Sequence, residues 1–269
     1  MEVLAECAGE QGGSVLPSLG NTWLSAFMRA EKGSVTGGIR LGPGRVEHQG
    51  GDFAAPGPVT LTFLVPAGST LSLRNVRLRP LGLKSIFNGK DLTGWKEIPG
   101  HASKFTVTEK GELNIKNGNG DLQTEAQYDD FVLQLEAIVN GDHLNSGVFF
   151  RCVPGEFWSG YESQIRNQWE GDDRTRPVDY GTGGLYNRQK ARKVVSNDRE
   201  WFTKTIVARG NHISIWVNGY QTVDFTDTAP PSDNARRGSK TSKGPISLQG
   251  HDPTTDLSFR NIRIAEIPK

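Results

Sequence analysis

Apolar and polar positions along this chain alternate with a period of two far more often than they recur at helical spacing. In 131-FVLQLEAIV-139 the alternation is strict at the start, and 147-GVFFRCV-153, 161-YESQI-165, 204-KTIVARG-210 and 212-HISIWVNG-219 continue it. Successive side chains of a strand point to opposite faces, so these runs predict half-buried strands. The tetrapeptide 217-VNGY-220 predicts a hairpin whose Asn and Gly both take positive φ. No stretch keeps an amphipathic helical period beyond a turn or two. The pattern predicts an all-β protein, a sandwich of two antiparallel sheets whose second sheet can offer a concave outer face.

The same pattern is written twice. The stretch 71-LSLRNVRLRPLG-82 returns as 257-LSFRNIRIAEIPK-269, and 57-GPVTL-61 returns as 244-GPISL-248. A repeat of this kind predicts one architecture used twice. Residues 1–20 read as a loose polar lead-in, and residues 21–80 as short β segments broken by Gly and Pro, 37-GGIRLGPGRVEHQGG-51 among them. The segment 80-PLGLK-84 reads as a linker, and 86-IFNGKDLTGWKEI-98 opens a longer unit. The expected division is residues 1–83, the C-terminal part of a first sandwich, and residues 84–269, a complete second one. The first segment holds too little chain for an independent core, because small domains bury a smaller fraction of their surface. Within the second unit, residues 153–200 stand apart as a long polar stretch, with Trp158, Tyr161, Trp169, Tyr180 and Tyr186 spaced through it. Long loops in compact domains are usually functional or disordered. The aromatics argue for a rim or lid over a binding face.

Composition narrows the function classes. Gly at 33 and Pro at 14 residues exceed the average and suit many short strands joined by turns. A formal net charge of +1 gives no concentrated basic field for nucleic acid or an anionic membrane. Cys7 and Cys152 are too few for a disulfide framework or a Cys-based zinc site, and Cys152, after an apolar strand, reads as a buried thiol. No apolar run is long enough to span a bilayer. The first residues carry Glu2, Glu6 and Glu10 and do not read as a signal peptide, so a cytoplasmic location is the default expectation. A chain whose start is incomplete would leave export open.

Alternation also locates a polar face. If Leu133 and Leu135 face the core, Gln134 and Glu136 face outward. The same rule turns out Phe149 with Arg151, Glu162 with Gln164, and Gln249 with His251. Four strands would then collect two carboxylates, a guanidinium, amides and an imidazole on one surface. A sheet face merely in contact with water is polar too, but usually through Lys, Thr and Ser. The first copy serves as a control: Thr62 and Leu64 stand where the second has Gln249 and His251. The strand itself does not demand the amide and imidazole, so activity is expected in the second unit. His48, His101, His143 and His212 show no ligand spacing. The run 181-GTGGLY-186 is not followed by a helix and is no phosphate loop, and no Gly-x-Ser-x-Gly elbow occurs.

The succession 86-IFNGKDLTGW-95, 122-LQTEAQYDDFVLQLE-136, 145-NSGVFFR-151, 161-YESQI-165, 182-TGGLY-186, Trp201, 217-VNG-219, 246-ISLQGH-251 and 259-FRNIRI-264 resembles the 3-keto-disaccharide hydrolase domain family over about residues 84–267. The resemblance implies a concanavalin-like jelly roll and a carbohydrate substrate. It also implies a pocket holding Asn145, Arg151, Glu162, Gln164 and His251, with Glu136 at an acidic strand end. A ketone at C3 of a sugar acidifies the C2 hydrogen, so a carboxylate or imidazole can remove it. The expected roles are Glu162 or His251 as base and Arg151 as enolate stabiliser, with a divalent cation as the alternative and no other cofactor implied. Gln164 and Gln249 are expected to contact hydroxyls, and Trp158 and Tyr186 to complete the sugar-binding set. One departure stands out: an Asp usually follows the Glu-x-Gln-Ile motif, whereas this chain reads 166-RNQ-168. Two competing readings remain, a non-catalytic carbohydrate-binding module and a glycosidase using Glu136 and Glu162, which needs the carboxylates about 5–9.5 Å apart.

Overall fold

The computed structural model describes residues 2–10, 24–31, 34–40, 46–52, 68 and 70–267, with side chains described at 68, 70–72 and 80–267. The chain divides into two compact units, Met1–Leu81 and Gly82–Lys269. In the first, strands β1 (Glu2–Glu10), β2 (Leu24–Glu31), β3 (Ser34–Arg40), β4 (Val46–Asp52) and β5 (Thr70–Arg79) form one antiparallel sheet of order β4-β3-β2-β1-β5. The polar lead-in expected at residues 1–20 is therefore corrected at Glu2–Glu10, which is paired on both sides. Small residues and glutamates hide its alternation, and its partner β5 lies some seventy positions away, beyond what local pattern reports.

The second unit begins with β6 (Lys84–Ser85), β7 (Trp95–Glu97), β8 (Lys104–Val107), β9 (Leu113–Lys116), β10 (Gly120–Thr124), β11 (Phe131–Val139), β12 (Ser146–Phe150) and β13 (Tyr161–Ile165). A single 3-10 turn, Val178–Tyr180, precedes β14 (Phe202–Arg209), β15 (His212–Val217), β16 (Tyr220–Thr226), β17 (Ser247–Gly250) and β18 (Asp256–Glu266). These strands make a five-stranded sheet, β13-β12-β17-β10-β7, and a larger sheet, β16-β15-β14-β11-β18-β9-β8, with β6 against β18. This is the antiparallel sandwich that the alternation predicts. Asn218 (φ 50) and Gly219 (φ 81) turn the β15–β16 hairpin as expected.

Burial follows the pleat on the larger sheet. Phe131, Leu133, Leu135 and Ala137 of β11 are sealed against the other sheet, and the residues between them are half-buried. Val148, Phe150, Ile246 and Leu248 meet them from the smaller sheet, each such side chain contributing about 1.5–3 kcal/mol. The smaller sheet is different. Every residue of β10, β12, β13 and β17 is buried, so its outer face is roofed by chain rather than open to water. Cys152 is a buried free thiol, as expected.

The repeated line occupies equivalent places. The sheet order β4-β3-β2-β1-β5 is the order β16-β15-β14-β11-β18 of the larger sheet. Both pairings bulge at the same step, from Leu4↔Arg77 to Glu6↔Arg74 in one and from Gln134↔Arg263 to Glu136↔Arg260 in the other. Thr62, Leu64 and the block 57–61 lie outside the described residues.

Candidate functional site

The roofed face of the smaller sheet holds the chemistry. Register places Glu162 opposite Phe149 and Gln164 opposite Gly147. Gly147 is required there, because a Cβ on it would stand 2.7 Å from Glu162 Oε1. On β10 and β17, Asp121 pairs with Gln249. The roof comes from three segments: residues 154–160, the stretch through Asp179 and Tyr186, and a strap over residues 227–244. Together they close a cleft of about 60 Å³ lined by Asn145, Trp158, Glu162, Gln164, Asp179, Tyr186, Arg236, Gln249 and His251.

Its hydrogen bonds are specific. Arg236 Nη2 donates to Glu162 Oε2 at 2.7 Å. The same guanidinium lies 5.3 Å from the Tyr186 ring, 5.5 Å from Phe149 and 5.8 Å from Trp158, inside an aromatic cage. Asp179 Oδ2 accepts from Asn145 Nδ2 at 2.9 Å and Gln164 Nε2 at 3.0 Å. His251 Nδ1 meets Asp252 Oδ2 at 2.9 Å, and its Nε2 faces Asn145 Nδ2 at 3.3 Å. Since the Asn145 amide nitrogen can only donate, Nε2 accepts and Nδ1 carries the proton toward Asp252. Asn145 Oδ1, Gln249 Oε1 and Trp158 Nε1 are buried and find no hydrogen-bond partner among the described residues. Such groups carry a desolvation cost until something answers them.

Burial raises the Glu162 carboxyl to about 7 against the pull of Arg236, with Asp179 and Asp121 adding repulsion. Asp121 rises to about 7 for the same first reason, opposed by the Trp158 backbone N–H that its Oδ2 accepts at 2.7 Å. A carboxyl that changes charge near neutrality beside a fixed cation is suited to moving a proton.

Asn145, Trp158, Glu162, Gln164, Tyr186, Gln249 and His251 thus converge. Two expected members do not. Arg151 leaves the β12 alternation because its backbone turns left-handed just after the strand (φ 52). Its buried guanidinium bonds Asp130 at 2.8 Å and the carbonyls of Asp129, Gly210 and Lys240. Glu136 belongs to the other sheet, where it pairs with Arg260 Nε at 2.6 Å and accepts from Asn261. The four-strand face is corrected to three of those strands plus β10, and the Glu136/Glu162 pairing falls with it. Glu6 holds the register position of Glu136 in the first unit, so this glutamate is common to both copies.

Asn167 does not line the cleft. Its Oδ1 accepts from Thr182 at 2.6 Å and Ser196 at 2.5 Å, and its Nδ2 donates to Asp198 at 3.1 Å. Sequence reasoning missed Asp121, Asp179 and Arg236. Asp121 was within reach, being two residues before Gln123 and flanking core Leu122 in β10. Asp179 (φ 47) and Arg236 sit in irregular chain with no period to follow. No group of three or more His, Cys, Asp or Glu able to hold a metal ion occurs among the described residues. A larger cavity of about 480 Å³ lies at the β7–β10 edge. The amide of its buried Gln123 is already spent on Gly155 N and Glu156 O. The convergent polar groups are at the smaller one.

The profile of the 3-keto-alpha-glucoside-1,2-lyase-like domain matches residues 82–265. No curated protein matches the chain. A provisionally named glycosyl hydrolase of Parabacteroides distasonis superposes with a TM-score of 0.57 at 21% identity, covering 70% of this chain and 94% of that one. A second protein of that organism, named in the same provisional way, gives 0.51 at 23% identity, covering 64% and 99%. At such identities the likeness is one of fold.

Proposed function

This chain belongs to the 3-keto-alpha-glucoside-1,2-lyase-like domain family, and from that premise we propose that its cleft breaks the glycosidic bond of a 3-keto-glycoside by elimination followed by addition of water. The observation that carries this reading is Glu162: a carboxyl raised to about 7, pointing into a polar cleft and held by Arg236.

Glu162 takes the C2 proton. The electron pair of that C–H bond passes into an enolate whose negative charge rests on the C3 oxygen. Arg236 spends one N–H on Glu162 and aims the rest of its fork at that oxygen, the role expected of Arg151. Collapse of the enolate expels the C1 oxygen substituent. Glu162 hands the proton it has taken to the departing oxygen, while His251, held by Asp252 and Asn145, lines the cleft beside it. Water then adds across C1=C2, its oxygen bonding C1 and its released proton passing through the Glu162 carboxylate to C2. The three unpartnered groups on Asn145, Gln249 and Trp158 supply contacts for sugar hydroxyls.

Incubation with 3-keto-trehalose and with trehalose, following glucose release, tests the reading. Release is expected from the keto sugar alone. Glu162→Gln should lower turnover by at least ~10²-fold. Full activity in that variant removes Glu162 from the role of base, and sugar binding without release from either substrate points to a carbohydrate-binding module instead.

A further inference from the structure

Lys204 occupies a core-facing position of β14, between buried Phe202 and Ile206. Its side chain is sealed between the sheets. Nζ donates to Ser163 Oγ at 3.0 Å, Ser163 O at 3.0 Å and Gln164 O at 2.8 Å. Three donors meet three acceptors, so the ammonium is satisfied with no carboxylate against it. A charge buried in this way still costs folding free energy that a well-packed apolar side chain would not. Its acceptors are not arbitrary, because both carbonyls belong to the piece of β13 that carries Glu162 and Gln164. Those two side chains leave the strand on the opposite face, into the cleft.

We propose that Lys204 is a positioning residue of the cleft: it clamps β13 from the core side so that Glu162 and Gln164 are held in place, and its charge, acting through one sheet, favours the ionised form of Glu162. The role rests on the reading of Glu162 as the base. Electrostatics agree with the geometry. Burial lowers the Lys204 ammonium to about 7, and Glu162 is the group that opposes the fall. The charged and titratable groups facing Glu162 are Arg236 from the strap, Asp179 and Tyr186 from the chain after β13, Asp121 from β10, His251 from the chain after β17 and Lys204 from β14. Without Lys204, Arg236 is left as the cation of this group facing three carboxyls.

The test reads titration before turnover, so its outcome does not depend on whether Glu162 is the base. In the full chain carrying nitrogen-15 lysine, the Lys204 Nζ resonance is followed from about pH 5 to about pH 9, in the wild type and in Glu162→Gln. Loss of the carboxylate should lower the Lys204 midpoint by roughly half a unit to one unit. An unmoved midpoint overturns the coupling. The second arm is the pH profile of kcat in Lys204→Gln, which keeps two N–H donors for the carbonyls and loses the charge. Its acid limb should move up by a similar amount, with KM changed less than kcat. Lys204→Gln with the wild-type profile would show a lysine that merely props the strand, and the proposal fails. If that variant does not fold, the Nζ titration in Glu162→Gln decides alone. If no keto sugar is cleaved at all, the elimination reading falls while the titration still stands or fails by itself.

Discussion

Asn167 stands where the family resemblance expects a carboxylate, and its surroundings explain the amide. Its oxygen accepts two hydroxyls while its nitrogen donates to Asp198. An aspartate would keep the acceptor, lose the donor and set two carboxylates against each other. Asn167→Asp is therefore expected to destabilise the fold by about 1–3 kcal/mol at pH 7. Repulsion raises the folded-state pKa of one of the two carboxyls above its unfolded value. The penalty should accordingly be smaller at about pH 4, where that carboxyl is protonated, and grow as pH rises. Urea unfolding at the two pH values measures it, and equal stability to wild type at both would show that the amide donor is dispensable. Turnover is not the first quantity this substitution should change, because the side chain lies outside the cleft.

At the scale of elements, the strap over residues 227–244 brings Arg236 to Glu162, and three cations tie it down. Arg151 donates to Lys240 O at 2.8 Å, Arg188 to Gly238 O at 3.1 Å, and Lys240 itself to Ser232 O and Asn234 O. The Lys240 backbone N–H adds a bond to the Tyr161 hydroxyl at 3.0 Å. Arg151 thus serves the site at one remove, through the element that carries Arg236. Arg151→Met should cost about 1–3 kcal/mol, since it leaves the Asp130 carboxylate only the Gly210 N–H among the described residues and takes a donor from the carbonyls of Asp129, Gly210 and Lys240. Chemical denaturation checks this. A variant that loses activity while keeping wild-type stability would return Arg151 to the reacting centre. The larger sheet supplies the contrast: Glu136, Arg260 and the Trp201 ring beneath that guanidinium form an outer-face cluster far from this chemistry.

For the whole molecule, the buried titrating groups predict an unusual pH dependence of stability. Glu162 and Asp121 are raised from 4.5 and 3.8 to about 7. The folded state holds their protons where the unfolded chain has released them. Their contribution is full below the unfolded values and is lost as pH rises through about 7. Lys204 is lowered from 10.5 to about 7, so its contribution is present above the unfolded value and is lost as pH falls through about 7. Together these groups should give thermal stability a shallow minimum near pH 7 in calorimetric scans. The carboxyls lowered by hydrogen bonds, Asp252 and Asp256 among them, titrate below this window. Glu162→Gln should flatten the acid side of the dip. A stability curve rising steadily from acid to neutral pH, unaltered by that variant, would refute the assignment.

The sequence by itself determined what depends on period and on local turn chemistry. Alternation specified β11, the apolar run 204-KTIVARG-210 pointed to β14, Asn-Gly specified the β15–β16 turn, and the motif order specified the family over most of the second unit. Alternation also said which side chains share a face of their own strand, so Glu162 with Gln164, and Gln249 with His251, were found without coordinates. It could not say which sheet a strand joins. That follows from long-range pairing, and it removed Glu136 from the set while bringing in Asp121 from β10. Nor does a period extend into irregular chain. Arg236, Asp179 and the left-handed turn that diverts Arg151 were decided by how the roof packs on the smaller sheet. The same roof made the carboxyl of Glu162 a group that titrates near neutrality, because only the assembled tertiary structure takes that side chain out of water.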